Sequence, residues 1–154
     1  MLRARQDADN RRFGVELFQT VVVGADRSDT AAAAVRQAIE LVKLTGGTLH
    51  IVSAYKPQHL SAAGGEGHGI ESGDLADSVV ADHASRARAA GVEAQTHAKS
   101  GAPADVICEL AEEIGADLIV VGNKGMAGVR RVLGSVPNSV AHNAPCSVLI
   151  ASTT

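Results

Sequence analysis

The sequence predicts an α/β fold with a parallel, doubly wound sheet. Three observations lead there. Short unbroken apolar runs, Val21-Val22-Val23 and Leu118-Ile119-Val120-Val121, read as strands buried on both faces. Longer stretches between such runs repeat apolar residues at i, i+3, i+4 and i+7, the period of an amphipathic helix. Glycine or proline stands at most of the boundaries, where chains turn.

Taken in order, residues 1–18 read as a disordered tail. Met1 to Arg12 is polar, and Phe13 to Phe18 is expected to dock only loosely. Residues 19–154 form the domain. Thr20 to Val23 is the first strand, and Ala25-Asp26-Arg27-Ser28 the turn after it. Ser28 is a good N-cap for a helix from about Asp29 to Leu44, with Val35, Ala38, Ile39 and Val42 on its buried face. Gly46 stops that helix at the usual C′ position. Thr48 to Ala54 is the second strand.

Lys56 to Asp74 holds Pro57, several glycines and no clear period, so it reads as a flexible excursion. Its Gly65-x-Gly67-x-Gly69 follows no strand and lacks the dinucleotide spacing. A second helix is expected over Leu75–Ala90, with Ala76, Val79, Val80, His83, Ala87 and Ala90 inward. Val92 to Lys99 alternates as a half-buried strand. Pro103 opens a third helix with Ala104, Ile107, Cys108, Ala111 and Ile114 as its stripe. Leu118 to Val121 is the fourth strand. Val136 to Asn143 is a short helix capped by Ser135, ended by Ala144-Pro145. Cys146 to Ala151 is the fifth strand. With a helix in every crossover, the connections should all be right-handed.

Composition narrows the function. At 154 residues the chain fits one domain, and 45% apolar residues are enough for a core. Aromatics are only 2%, so that core must be aliphatic. A net charge of −3 argues against a general nucleic-acid or anionic-membrane binder. No apolar run reaches the length of a membrane span, and no secretory signal is visible, so a cytoplasmic protein is expected. Cys108 and Cys146 are expected to be buried, reduced thiols.

The stretch most suggestive of chemistry is Val120 to Val136. Gly122, Gly125 and Gly128 follow the fourth strand at intervals of three, then Arg130 and Arg131, then Gly134-Ser135 at a helix start. Glycines let backbone N–H groups close in on an anion, and a helix start adds free N–H donors and a positive dipole end. Lys124, Arg130 and Arg131 supply cations that could neutralise phosphates. This order predicts a phosphate cradle. Ligands of such sheets sit at the carboxyl ends of strands, near the switch in strand order, where Asp26 and Gly122 would meet. From position alone, Asp26 reads equally as a turn residue.

Gly122-x2-Gly125 followed by Gly134-Ser135 resembles the nucleotide loop of the universal stress protein family, in its ATP-binding branch. The resemblance runs over Thr20 to Ser152. Residues 126 to 133 number eight, one fewer than that family's usual run between the second glycine and the Gly-Ser pair. The resemblance implies a Rossmann-like, five-stranded sheet of order 3-2-1-4-5. It implies ATP or another adenine nucleotide as ligand, with any Mg²⁺ or Mn²⁺ carried by the phosphates. Asp26 would then contact the ribose, and Ala25, Val52 and Ser53 would wall the adenine. Gly122, Lys124, Gly125, Arg131, Gly134, Ser135 and Val136 would hold the phosphates. It also implies a homodimer through strand 146–151, whose apolar edge invites pairing with a second copy.

Other chemistries lack their residues. There is no G-x-x-x-x-G-K-[ST] phosphate loop, no G-x-S-x-G elbow, and no metal-ligand spacing among the six histidines. No carboxylate is evidently set to activate water. The sequence thus favours a nucleotide-binding sensor over an enzyme. Slow ATP hydrolysis or autophosphorylation at Ser135 or Ser139, cyclic AMP as ligand, and a nucleotide-free interaction module remain the alternatives.

Overall fold

The computed structural model describes residues 17–57, 71–123 and 135–153. Residues 1–16, 58–70, 124–134 and 154 lie outside them.

The described elements alternate: β1 (Thr20–Gly24), α1 (Asp29–Thr45), β2 (Thr48–Tyr55), α2 (Glu71–Ala89), β3 (Ala94–Ser100), α3 (Pro103–Ile114), β4 (Leu118–Gly122), α4 (Val136–Asn143) and β5 (Ser147–Ala151). The strands form one parallel sheet in the order β3-β2-β1-β4-β5. Strand order reverses between β1 and β4, the switch expected to carry a ligand.

The period-two alternation of the strands sends side chains to two cores. Val21, Val23, Leu49, Ile51, Leu118 and Val120 pack with Val35, Ala38 and Val42 of α1 and Val80, Ala84 and Ala87 of α2. Val22, Val52, Ile119 and Val121 pack on the other face with Val106, Ile107 and Leu110 of α3 and Val140 of α4.

Local chemistry sets the helix ends. The Ser28 hydroxyl accepts from Ala31 N at 3.1 Å, and Gly46 closes α1 at φ 73° with its N–H on Val42 O. Ser135 accepts from Asn138 N at 3.3 Å at the start of α4. Away from the switch, the Asp117 carboxylate accepts from the amides of both Gln19 (2.9 Å) and Thr20 (3.0 Å). It ties the start of β4 to the start of β1.

Several expectations need correction. Helix α2 starts at Glu71, not Leu75. Residues 71–74 carry no apolar period to announce them, yet acidic and small polar residues suit a first helical turn. β3 begins at Ala94, and Val92 is buried just before it. The α3 stripe centres on Val106, Ile107, Leu110 and Ala111, which leaves Ala104, Cys108 and Ile114 at its margin. Cys108 and Cys146 are free but only half-buried, with Cys146 just ahead of β5. Their partial burial still pushes both thiols up, with weaker contributions from Asp105 for Cys108 and from Asp117 for Cys146. Phe18 packs part-buried on the first core.

Candidate nucleotide site

A cleft of about 320 Å³ opens at the carboxyl ends of β1 and β4. Each element contributes its tip. The end of β1 and the turn after it supply Gly24, Ala25 and Asp26, β2 supplies Val52 and Ala54, and β4 supplies Val121 and Gly122. Ser28, Thr30 and Ala31 come from the start of α1, and Ser135, Val136 and Pro137 from the start of α4. Pro103 and Ile107 of α3 close the remaining side. The size lies at the lower end of the range for small-molecule pockets.

The lining is mostly aliphatic, which suits a flat apolar group. Polar groups converge at its rim. The Asp26 carboxylate accepts from Ser28 N at 2.7 Å through Oδ1, the turn geometry that aspartate favours. A carboxylate has further lone pairs, so Asp26 keeps acceptor capacity for a ligand hydroxyl. Ser135 accepts its cap bond at Oγ, which leaves the hydroxyl hydrogen to donate outward. Two helix N-termini, those of α1 and α4, thus end at one cleft, and both favour an anion there.

Gly122 has a packing reason of its own. A methyl there would lie 2.8 Å from Thr30 Cγ2 and 3.1 Å from the Thr30 carbonyl oxygen. The absent side chain lets β4 end against the first turn of α1.

Of the residues singled out in the sequence, Ala25, Asp26, Val52, Gly122, Ser135 and Val136 meet in this cleft. Ser53 does not. Alternation along β2 turns it to the other face, where it lines a second cavity with Tyr55, Leu75 and Val79. Ala54, one residue further on, takes the cleft side. Lys124, Gly125, Gly128, Arg130, Arg131 and Gly134 lie outside the described residues. Thr30, Pro103, Ile107 and Pro137 were not evident in the sequence, because only the packing of α1, α3 and α4 over the strand tips brings them in. Among the described residues, no three His, Cys, Asp or Glu side chains gather as for a metal. No described helix is long and apolar enough to cross a membrane.

The family model for the universal stress protein family matches residues 17–152. The chain belongs to that family. Among curated universal stress proteins, Rv1636 of Mycobacterium tuberculosis is 38% identical over 144 residues, spanning 89% of this chain and 98% of its own. MJ0531 of Methanocaldococcus jannaschii is 30% identical, spanning 90% of this chain and 85% of its own. Solved universal stress protein structures carry the same fold. One in complex with cAMP superposes with a TM-score of 0.76 at 36% identity, covering 90% of this chain and 99% of that one. Another, from Archaeoglobus fulgidus in complex with dAMP, gives 0.67 at 28% identity, covering 87% and 98%.

Proposed function

We propose that this universal stress protein binds an adenine nucleotide in the β1–β4 cleft and acts as a nucleotide-responsive regulatory module, with ATP as its ligand. The observation that carries the reading is the cleft itself, an aliphatic slot at the strand switch with two serine-capped helix starts at its rim. The apolar tips of β2 and α3 suit the base, Asp26 suits a ribose hydroxyl, and the helix starts suit phosphate. That two related structures are complexes with adenine nucleotides supports the same ligand class. Lys124, Gly125, Arg131 and Gly134 would complete the phosphate contacts.

Cyclic AMP is the second reading. It is favoured by the 36% identity to the protein solved with cAMP. Calorimetric titration with ATP–Mg²⁺ and separately with cAMP decides between them. The first reading expects tighter binding of ATP, and the second the reverse. No heat with either ligand at millimolar concentration would remove both and leave a nucleotide-free interaction module.

The module is further proposed to pair with a second copy through β5. That strand is a sheet edge, and Leu149 on it is 40% exposed. An open, apolar edge of this kind is a template for strand pairing.

A further inference from the structure

The ladder between β4 and β5 ends at the pair Gly122 and Ala151. Past that pair, side chains hold the two chains. The Thr153 hydroxyl donates to the carboxamide oxygen of Asn123. One residue earlier, the Ser152 carbonyl accepts from Gln37 Nε2 of α1 at 2.8 Å. Ala151 itself is buried in the first core. Residues 151–153 are thus fixed in turn to the core, to α1 and to the chain leaving β4. Residues beyond a final strand tend to fray unless something ties them down.

Asn123 is where this run of ties ends. It directly follows Gly122, which lines the cleft. The next residues include Lys124, Gly125, Arg131 and Gly134, those offered for phosphate. The far end of that stretch is anchored at Ser135, whose Oγ accepts from Asn138 N at 3.3 Å. At the near end, the bond from Thr153 restricts the Asn123 side chain, and with it the direction in which the backbone leaves β4. Ordering a segment on binding is costly, and a segment held at both roots has less freedom to lose.

We propose that Asn123 and Thr153 are a positioning pair for the phosphate end of the ligand. Thr153 sets the course of the chain beyond Gly122 through Asn123, and neither side chain touches the ligand. This rests on the nucleotide reading of the cleft, with the stretch after Asn123 on the phosphates.

The test is a double-mutant cycle in the full chain, read by calorimetry with ATP–Mg²⁺ and with adenosine. Thr153→Val and Asn123→Ala should each weaken ATP about fivefold, the worth of one ordinary hydrogen bond. The double variant should be no weaker than Asn123→Ala alone, because Thr153 acts through Asn123. Thr153→Ser, which keeps the hydroxyl, should stay within about twofold of the wild type. Adenosine, which has no phosphate, should bind every variant as it binds the wild type. Additive losses in the double variant, a serine variant as weak as the valine variant, or adenosine losses that match those of ATP would overturn the proposal. Thr153→Ala serves as the hydroxyl-free variant if Val does not fold.

A second arm needs no ligand. The side-chain amide resonances of Asn123 should shift in Thr153→Val and return towards wild type in Thr153→Ser. Unmoved resonances overturn the inference even where ATP binds. A wild type that binds neither ATP nor adenosine overturns the reading of the cleft and this proposal with it. A wild type that binds ATP, with every variant binding equally well, overturns this proposal alone.

Discussion

His50 Nδ1 lies 3.0 Å from His97 Nε2, with the two rings stacked 5.3 Å apart between β2 and β3. One nitrogen of the pair must donate and the other accept, so the bond needs at least one neutral ring.

Burial lowers the pKa of both rings below the ordinary histidine value; repulsion from a protonated His97 adds to the effect on His50, and Lys99 adds to it on His97. Glu93 and Glu113 oppose this more weakly. The unfolded chain therefore binds these protons first as pH falls. Stability should be full above about pH 6.5 and decline below it, through the lowered folded values. His83, lowered chiefly by burial, adds to the same trend. Urea midpoints measured from pH 8 to pH 5 should fall with acid. The slope should be shallower in a His50→Leu/His97→Leu variant, which removes two of the three contributing groups.

Two glycines at strand ends should respond differently to alanine. At Gly122 the new methyl meets Thr30, including its backbone oxygen at 3.1 Å, and the helix start cannot easily retreat. Gly122→Ala should cost about 1–3 kcal/mol, as overpacking does, and weaken nucleotide binding with it. At Gly24 the methyl meets Ile107 Cδ1 at 2.7 Å, the far end of a flexible side chain. Gly24→Ala should cost less than about 1 kcal/mol. Denaturant unfolding of the two variants checks the order, and equal losses would contradict it.

Ser135 should matter twice. Ser135→Ala removes the α4 cap, at a cost of about 1 kcal/mol, and also the hydroxyl offered to the ligand. Ser135→Asp keeps a capping acceptor but adds a negative charge at the cleft. Nucleotide affinity should therefore fall in both variants, while the ligand-free melting temperature falls only in the alanine variant. A thermal-shift series with and without ATP separates the two effects.

Turnover of ATP should be slow. Among the described residues, Asp26 is the carboxylate lining the cleft, and its Oδ1 is engaged by Ser28 N. Phosphate release should stay well below the ~1 s⁻¹ low end of typical enzymes. Faster release would favour the hydrolytic alternative.

Assembly offers a further check. If β5 pairs across a two-fold axis, Leu149→Lys places a charge in that seam, a device that natural edges use to prevent pairing. Sedimentation should show the wild type as a dimer of the 15.7 kDa chain and the variant as a monomer.

The strands and helices were legible because each carries its period openly. Val21–Val23 and Leu118–Val121 read as buried strands, and the caps at Ser28 and Ser135 read from residue type. The far turn of α2 was not legible, since Glu71 to Asp74 has no apolar residue to mark a face. Within the cleft, Ala25, Asp26, Val52, Gly122, Ser135 and Val136 were visible from order along the chain. Those contributed sideways, such as Ile107 and Thr30, were not, because their approach depends on how helices lie over the sheet. Ser53 and Ala54 show the resolution of sequence reasoning at a strand end, where one residue exchanges the two faces.

The Asp117 carboxylate, holding the amides of Gln19 and Thr20, acts at the end of the sheet opposite the cleft. Charge-assisted bonds of this kind resist sliding. β1 and β4 are therefore stapled at their bases, and any spreading must be a fan-like opening at the tips. A ligand entering between Asp26 and Gly122 meets two strand tips that can part only by hinging about that base, as the jaws of tongs turn about their rivet. Little freedom then remains to be lost on closing, so loosening Asp117 should first be felt as weaker grip at the far end, through ordering that the ligand must now supply itself.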